Sequence, residues 1–353
     1  MRRAYIDNLR SAIVLLVVLH HACLVFAGSG AVLNVQGPPL PVLDGVGLLL
    51  YPWLMPLMFL LAGMSARYAL EKRTLRQFRA DRVRRLLLPL LGALACFAWP
   101  LVALTFHVMG GSVGEMIAYF PQPGIALFFL ALMGMGPQWF LLELFLFSMV
   151  LPVARRLDAG GRLTGLARRA GPPAWAVFWL VYWAGSAFGN LGNREALNLL
   201  MLLLGYFVFA QQEVIDRLER LAPAFIAAAA ALGGAVTLYF WGVSCVAAEF
   251  LTHPLTTAYG WCACLALLSG FRRWCGGSGA ASRFWRARSF AVYQFHYLAM
   301  MVTAWIVTEV RPLPAAAAFP AVLLLPVGVS LLFYEGISRI PGLRTLFALR
   351  RPS

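Results

Sequence analysis

The residues best placed to do chemistry stand near the start of the chain, in the stretch DNLRSAIVLLVVLHH. Asp7 and Arg10 precede an apolar run that carries His20 and His21 deep inside it. On an α-helix, Arg10 and His21 fall on one face, about 20° apart in projection, whereas His20 falls about 80° to the other side of Arg10. The helical rise sets His21 roughly 16 Å above Arg10. Histidine titrates near neutral pH and suits general-base chemistry. Asp7, three residues before Arg10, is spaced to pair with its guanidinium across one turn. The plain alternative is an interfacial anchor at Arg10 and histidines bonded to neighbouring helices. Ionisable groups inside an apolar span, however, mark function by default.

A second set lies in RADRVRRLLLPLLG, where Arg82 and Arg85 are three residues apart and Arg79 extends the row by another turn. A row of guanidinium forks at a membrane interface suits phosphates, which such forks grip bidentately. The competing use is binding of lipid headgroups. Glu143, within WFLLELFLF, is an acid inside a helix, able to pair with a cation or to move a proton. His296, in YQFHYL, reads as a group capping a packing contact, and Glu335 as the i, i+4 partner of Arg339. His107, Glu249 and His253 line outer loops without metal-ligand spacing, and none of the six cysteines forms a CxxC pair, so no metal is expected.

These groups must be positioned by helices in a membrane. Of 353 residues, 61% are hydrophobic and only 12% charged, far from the balance of a soluble domain. The fold class is therefore all-α, a polytopic membrane protein read as one domain over residues 1–353, with neither repeat nor soluble module. A window of about 20 residues places ten helices. They run near 9–27, 48–66, 86–106, 136–153, 173–189, 195–211, 222–242, 252–270, 289–309 and 315–335. The first is a retained helix, since no small-residue cleavage site closes it. The stretch 107–135, with Gly110, Gly111, Pro121 and Pro123, keeps too short an apolar run to span, and reads as interfacial or re-entrant.

The net charge of +15 does not signal nucleic acid, because 27 of the 29 basic residues fall on one side of this topology. They cluster at Arg2, Arg3 and Arg10 and then within 67–85, 155–169, 217–220, 272–288 and 339–351, leaving only Arg194 and Arg311 opposite. The positive-inside rule then puts both termini in the cytoplasm.

The motifs DNLRSAIVLLVVLHH, MPLMFLLAGMSARYAL, RVRRLLLPLL, GPQWFLLELFLFS and SFAVYQFHYL follow one another in an order that resembles the membrane acyltransferase family 3. The likeness runs from about residue 3 to 340, and within the family it is closest to the glucan biosynthesis protein C type. The resemblance implies a multi-pass enzyme of the bacterial cytoplasmic membrane. Such an enzyme takes an acyl group, acetyl or succinyl, from cytoplasmic acyl-CoA and delivers it to a hydroxyl of a glycan or lipid-linked saccharide outside. It implies catalytic roles for His21 and Arg10 and a grip on the donor's phosphates by Arg82 and Arg85. Asp7, through its pairing with Arg10, and Glu143, as an intramembrane acid, join the catalytic candidates on their own chemistry. His20 leaves open which imidazole acts.

The rival reading is a transporter or flippase for a lipid-linked glycan or acylated product. A transporter of that kind is expected to show repeat symmetry and paired broken helices, and the sequence shows neither. The topology is directly testable. Reporter fusions should place both termini in the cytoplasm and the 28–47 loop outside, and a terminal reporter active in the opposite compartment would overturn the charge argument.

Overall fold

The computed structural model describes residues 4–30, 33–120, 122–188 and 194–350. Arg2, Arg3 and Arg351 of the basic clusters lie outside them. Sixteen helices follow in chain order, and no strand occurs among the described residues. They are α1 Ala4–Val25, α2 Pro41–Leu70, α3 Leu75–Val108, α4 Val113–Tyr119, α5 Pro123–Met133, α6 Trp139–Leu157, α7 Arg162–Arg168 and α8 Pro172–Ala187. The second half has α9 Glu195–Phe209, α10 Gln212–Arg220, α11 Ala222–Tyr239, α12 Ala248–Thr252, α13 Pro254–Trp274, α14 Ala280–Val310, α15 Ala315–Ile337 and α16 Pro341–Leu346.

Every expected span overlies a helix, but the count of ten is not reproduced. Among the described residues seven helices are long and apolar enough to cross a bilayer, and nine if each of two bent pairs makes one span. The bent pairs are α5 with Gly136–Leu157, turning 90°, and α9 with α10, turning 96°. The place expected at 173–189 is α8, whose 16 residues reach only about 24 Å against a hydrocarbon layer of about 30 Å. The ambiguous stretch 107–135 resolves into α4, closed by a Ser112/Glu115 capping box, and the 11-residue α5. The latter has the form of a broken span or re-entrant piece.

The packing divides into two compact units. Unit 1 comprises Met1–Leu16, Asp44–Ala80 and Glu143–Arg286. Its core holds Leu57, Phe59, Leu60, Leu197, Leu202, Tyr206 and Phe209, all essentially sealed. Two glycines let α2 and α9 touch backbone to backbone. A Cβ on Gly63 would lie 2.0 Å from the carbonyl oxygen of Leu202, and one on Gly205 would lie 2.0 Å from that of Leu60. Close approach through small residues is how helices associate where no water drives them together.

Unit 1 also shows how a proline-broken helix is repaired. Pro56 lies inside α2 and has no N–H to offer the carbonyl of Pro52. Tyr182 Oη donates to that oxygen at 2.6 Å and Arg194 Nη1 at 3.0 Å, while Arg194 Nη2 donates to Tyr51 O at 2.9 Å. Arg194, expected as an outer-loop cation, is therefore buried against α2. Its φ of 59° is a left-handed conformation that a non-glycine residue keeps only when its surroundings over-determine it.

Unit 2 comprises Val17–Leu43, Asp81–Leu142 and Ala287–Ser353. One cluster joins Ala291 and Phe295 to Tyr334 and Phe347, and another joins Val102 to Met116 and Leu130. The 90° bend after α5 sits where a Cβ on Gly134 would meet the Ala98 backbone oxygen at 2.3 Å.

The glycine contacts generate a stability test. Gly63→Ala and Gly205→Ala should each destabilise by about 1–3 kcal/mol or more, because backbone cannot give way to the added methyl. Gly234→Ala, in open space on α11, should be neutral or stabilising by up to about 1 kcal/mol. Thermal unfolding of the three purified variants checks the ranking.

Candidate functional site

The second half of α1 carries His20 and His21 into unit 2, and burial separates them at once. His20 is 4% exposed, whereas His21 is only partly covered. Of the two histidines, His21 is therefore the more open.

The partner of His21 is His296 on α14. His21 Nδ1 lies 3.1 Å from His296 Nε2, with the rings nearly parallel and their centroids 5.4 Å apart. His296 is fully buried. Its Nδ1 sits 2.9 Å from the carbonyl oxygens of both Val292 and Tyr293. Carbonyls only accept, so Nδ1 carries the proton of the neutral ring and Nε2 keeps a lone pair. In the neutral pair His21 Nδ1–H then donates to His296 Nε2, and the lone pair of His21 falls on its own Nε2. Two backbone carbonyls thus select the nitrogen of His21 that is able to take a proton.

The ring is steadied from another side. The Tyr297 ring meets His21 edge-on at 5.2 Å, and Tyr297 Oη donates to Asn34 Oδ1 at 2.7 Å. Asn34 Nδ2 donates to Thr105 Oγ1 at 2.8 Å, and Thr105 in turn donates to Leu101 O at 2.8 Å. Each donor in this chain has one acceptor, so the orientation of Asn34 is settled from its far end.

Two of the sequence motifs meet to hold this face of α14. Tyr293 Oη donates to Pro137 O, and Gln138 Nε2 donates to Gln294 O at 3.1 Å. Gln294 Nε2 reaches Phe347 O at 3.1 Å, and the Phe140 and Tyr293 rings stand edge to face at 5.8 Å. The short turn Gly136–Gln138 requires its glycine, since Gly136 has φ of 47° and lies tight against the Tyr297 ring. GPQWF and SFAVYQFHYL are therefore one packed assembly whose centre is the carbonyl-bound His296.

The remaining expected residues lie as follows. In unit 1, Arg10 pairs with Asp7 at 3.3 Å and donates to Ser65 Oγ at 2.8 Å, so the i, i+3 pairing is present. Glu143, 8% exposed, accepts from Asn198 Nδ2 at 3.1 Å. Arg82 and Arg85 of unit 2 do not form the α-helical row expected of them. A π-helical turn occupies Val83–Leu87, and its wider i→i+5 winding makes three residues cover less of a turn. Arg82 is half-buried and Arg85 exposed. Glu335 binds Arg288 at 2.7 Å and stands 4.0 Å from Arg339, so the expected local partner is the more distant one. Among the described residues no group of three or more His, Cys, Asp or Glu is gathered as a metal site.

The sequence matches the acyltransferase domain of acyltransferase family 3 over residues 3–335, nearly the whole chain, and the protein belongs to that family. Its helices make it a membrane protein of the acyltransferase class. Comparison with curated proteins and with solved structures found no match.

Sequence reasoning missed Asn34, Tyr297, Ser65 and Asn198, and gave His296 only a packing role. A signal for His296 was present. Tyr293, Gln294, His296 and Tyr297 put four polar groups within five residues of a span, which is costly unless each is bonded. The geometry makes separable predictions for acyl transfer. His21→Ala should lower it on the order of 10²-fold or more, the scale of a lost general base, with little change in melting temperature. His296→Phe should lower it by about tenfold or more, with His296→Gln retaining part, because an amide is able both to donate to the carbonyls and to accept from His21. His20→Ala should act on stability. Activity and melting curves on the same four preparations check this; equal losses in both measures for His21→Ala would reduce the residue to a structural one.

Proposed function

We propose that the protein is an acyl-CoA-dependent O-acyltransferase of the bacterial cytoplasmic membrane. It takes an acetyl or succinyl group from the cytoplasmic side and places it on a hydroxyl of an extracytoplasmic glycan or lipid-linked saccharide, in the manner of the glucan biosynthesis protein C type. The observation that carries the reading is the carbonyl–His296–His21 relay, which leaves a lone pair on the one nitrogen of His21 not committed to the protein. Family membership supplies the reaction class.

In this mechanism His21 Nε2 takes the proton of the acceptor hydroxyl as its oxygen attacks the thioester carbonyl carbon. The C–S bond of the tetrahedral intermediate breaks, the acyl group stays on the sugar oxygen, and the leaving thiolate takes the proton back from the imidazolium. A thioester is reactive enough that a positioned base and some stabilisation of the oxyanion suffice. His296 holds the tautomer without adding a charge. Arg82 and Arg85 are assigned to the phosphates of the donor. Arg10, braced by Asp7 and Ser65, supplies a fixed cation, and Glu143 on Asn198 a second intramembrane acid or proton carrier. Lipids surround the protein; neither nucleic acid nor metal takes part.

The test is purified protein in detergent with acetyl-CoA or succinyl-CoA and a glucan oligosaccharide. Mass spectrometry should show the acceptor gaining one acyl group for each CoA released, and Arg82→Ala with Arg85→Ala should raise the KM for the donor by about tenfold or more. Movement of the saccharide across a vesicle with no new ester would favour the transporter instead.

A further inference from the structure

Unit 1 contains a second group of arginines that the acyl-transfer reading does not use. They line a cavity of about 400 Å³, within the range of small-molecule sites. Arg67 comes from the end of α2, Arg155 from the end of α6, Arg168 from the end of α7, and Tyr206 from α9 forms part of the wall. The three arginines come from the basic clusters 67–85 and 155–169 of the sequence.

The hydrogen bonds show how much of this charge is already committed. Arg67 uses Nε on Glu71 at 3.1 Å and stacks over the Tyr206 ring at 5.4 Å. Arg155 uses one nitrogen on Leu70 O at 2.9 Å, and Arg168 reaches Gln211 Oε1 at 3.4 Å. A guanidinium has five N–H donors, so most of each fork stays available. Both carboxylates on the wall already have partners. Glu71 is held by the cavity's own Arg67, and Asp158 accepts from the backbone N–H groups of Leu163 and Thr164 and from the Thr164 hydroxyl. The Thr164 bond holds the Asp158 carboxyl below its ordinary range. What remains is three forks with spare donors converging on one concavity, an arrangement that fits tetrahedral oxyanions better than carboxylates on flexible chains.

We infer that the cavity bounded by Arg67, Arg155, Arg168 and Tyr206 binds a phosphate ester on the basic face of the protein, separately from Arg82 and Arg85. The phosphate belongs either to a soluble nucleotide such as CoA or to the headgroup of an anionic phospholipid. The inference does not rest on the acyl-transfer mechanism, since it concerns binding alone. Arg155 and Arg168 are exposed, so their replacement should leave the core intact.

The test compares Arg155→Gln/Arg168→Gln with Arg169→Gln, an exposed neighbour that does not line the cavity. Melting curves are taken first, and an Arg155→Lys/Arg168→Lys variant provides a charge-preserving second reading. Calorimetric titration with CoA in lipid-free detergent should show one binding event, distinct from that lost in Arg82→Ala/Arg85→Ala, weakened about ten- to a hundredfold in the double variant, the scale of one or two lost charge-assisted hydrogen bonds. In that case the nucleotide is the ligand. If CoA binding is unchanged but phosphatidylglycerol nanodiscs no longer raise the melting temperature relative to phosphatidylcholine, the ligand is the lipid headgroup. Unchanged response to both, or equal losses in Arg169→Gln, overturns the inference.

Discussion

A carbonyl without a donor is the constraint on which this structure turns. In hydrocarbon there is no water to satisfy a backbone group, so each break in a helix must be answered by another part of the chain. The chain breaks its helices often: Pro52 and Pro56 lie inside α2, Pro152 inside α6, and Pro320 and Pro326 inside α15. At Pro52 the answer is the hydroxyl of Tyr182 on α8 and the guanidinium of Arg194, the residue just before α9. At His296 the relation is inverted. There the side chain of α14 folds back on carbonyls of its own helix, and the bond that satisfies its Nδ1 also dictates the chemistry of its partner.

The choice of a second imidazole to orient the first has an electrostatic reason. A catalytic histidine is commonly oriented by a carboxylate, which also stabilises the imidazolium. A carboxylate buried where His296 lies would have to be desolvated and would demand its own cation or several donors. A neutral histidine anchored to two carbonyls does the orienting at no cost in buried charge. In the proposed mechanism the consequence is a weaker brace for the imidazolium, which would suit a thioester donor, more reactive than an ester or amide. The polar chain from Tyr297 through Asn34 to Thr105 follows the same logic, since every member is neutral and every donor has an acceptor.

What the sequence disclosed and what it withheld divide along the distance between partners. Hydropathy is a local property, so each span expected from it overlies a helix, including α8, which proves too short. The Asp7–Arg10 pair was legible because its partners lie three residues apart on one helix. His21 and His296 are 275 residues apart, and periodicity within α1 holds no trace of that meeting. The right-angle bend after α5 was hidden because it depends on Gly134 lying against Ala98 of α3. The π turn at Val83–Leu87 is a defect of winding rather than composition, so the three-residue spacing of Arg82 and Arg85 misled about their common face. The choice between His20 and His21 was half legible: helical projection favoured His21, and burial, a tertiary property, leaves His21 the more exposed of the two residues.

Arginine shows how much accounting of donors adds to accounting of charge. By burial alone Arg194 is the natural candidate for function, as a cation 6% exposed in a membrane protein. Its fork, however, is spent on the carbonyls of Tyr51 and Pro52 and its face lies over the Tyr51 ring at 4.9 Å. A ligand there would have to displace bonds that keep α2 intact. Arg155 and Arg168 are less buried and individually ordinary, yet both line one concavity, and the bonds to Leu70 O and Gln211 Oε1 use one nitrogen of each. Net attraction for a phosphate depends on donors that are positioned and unspent. By that measure the exposed pair outranks the buried residue, and the position of Arg194 follows from the proline whose missing N–H it helps to replace.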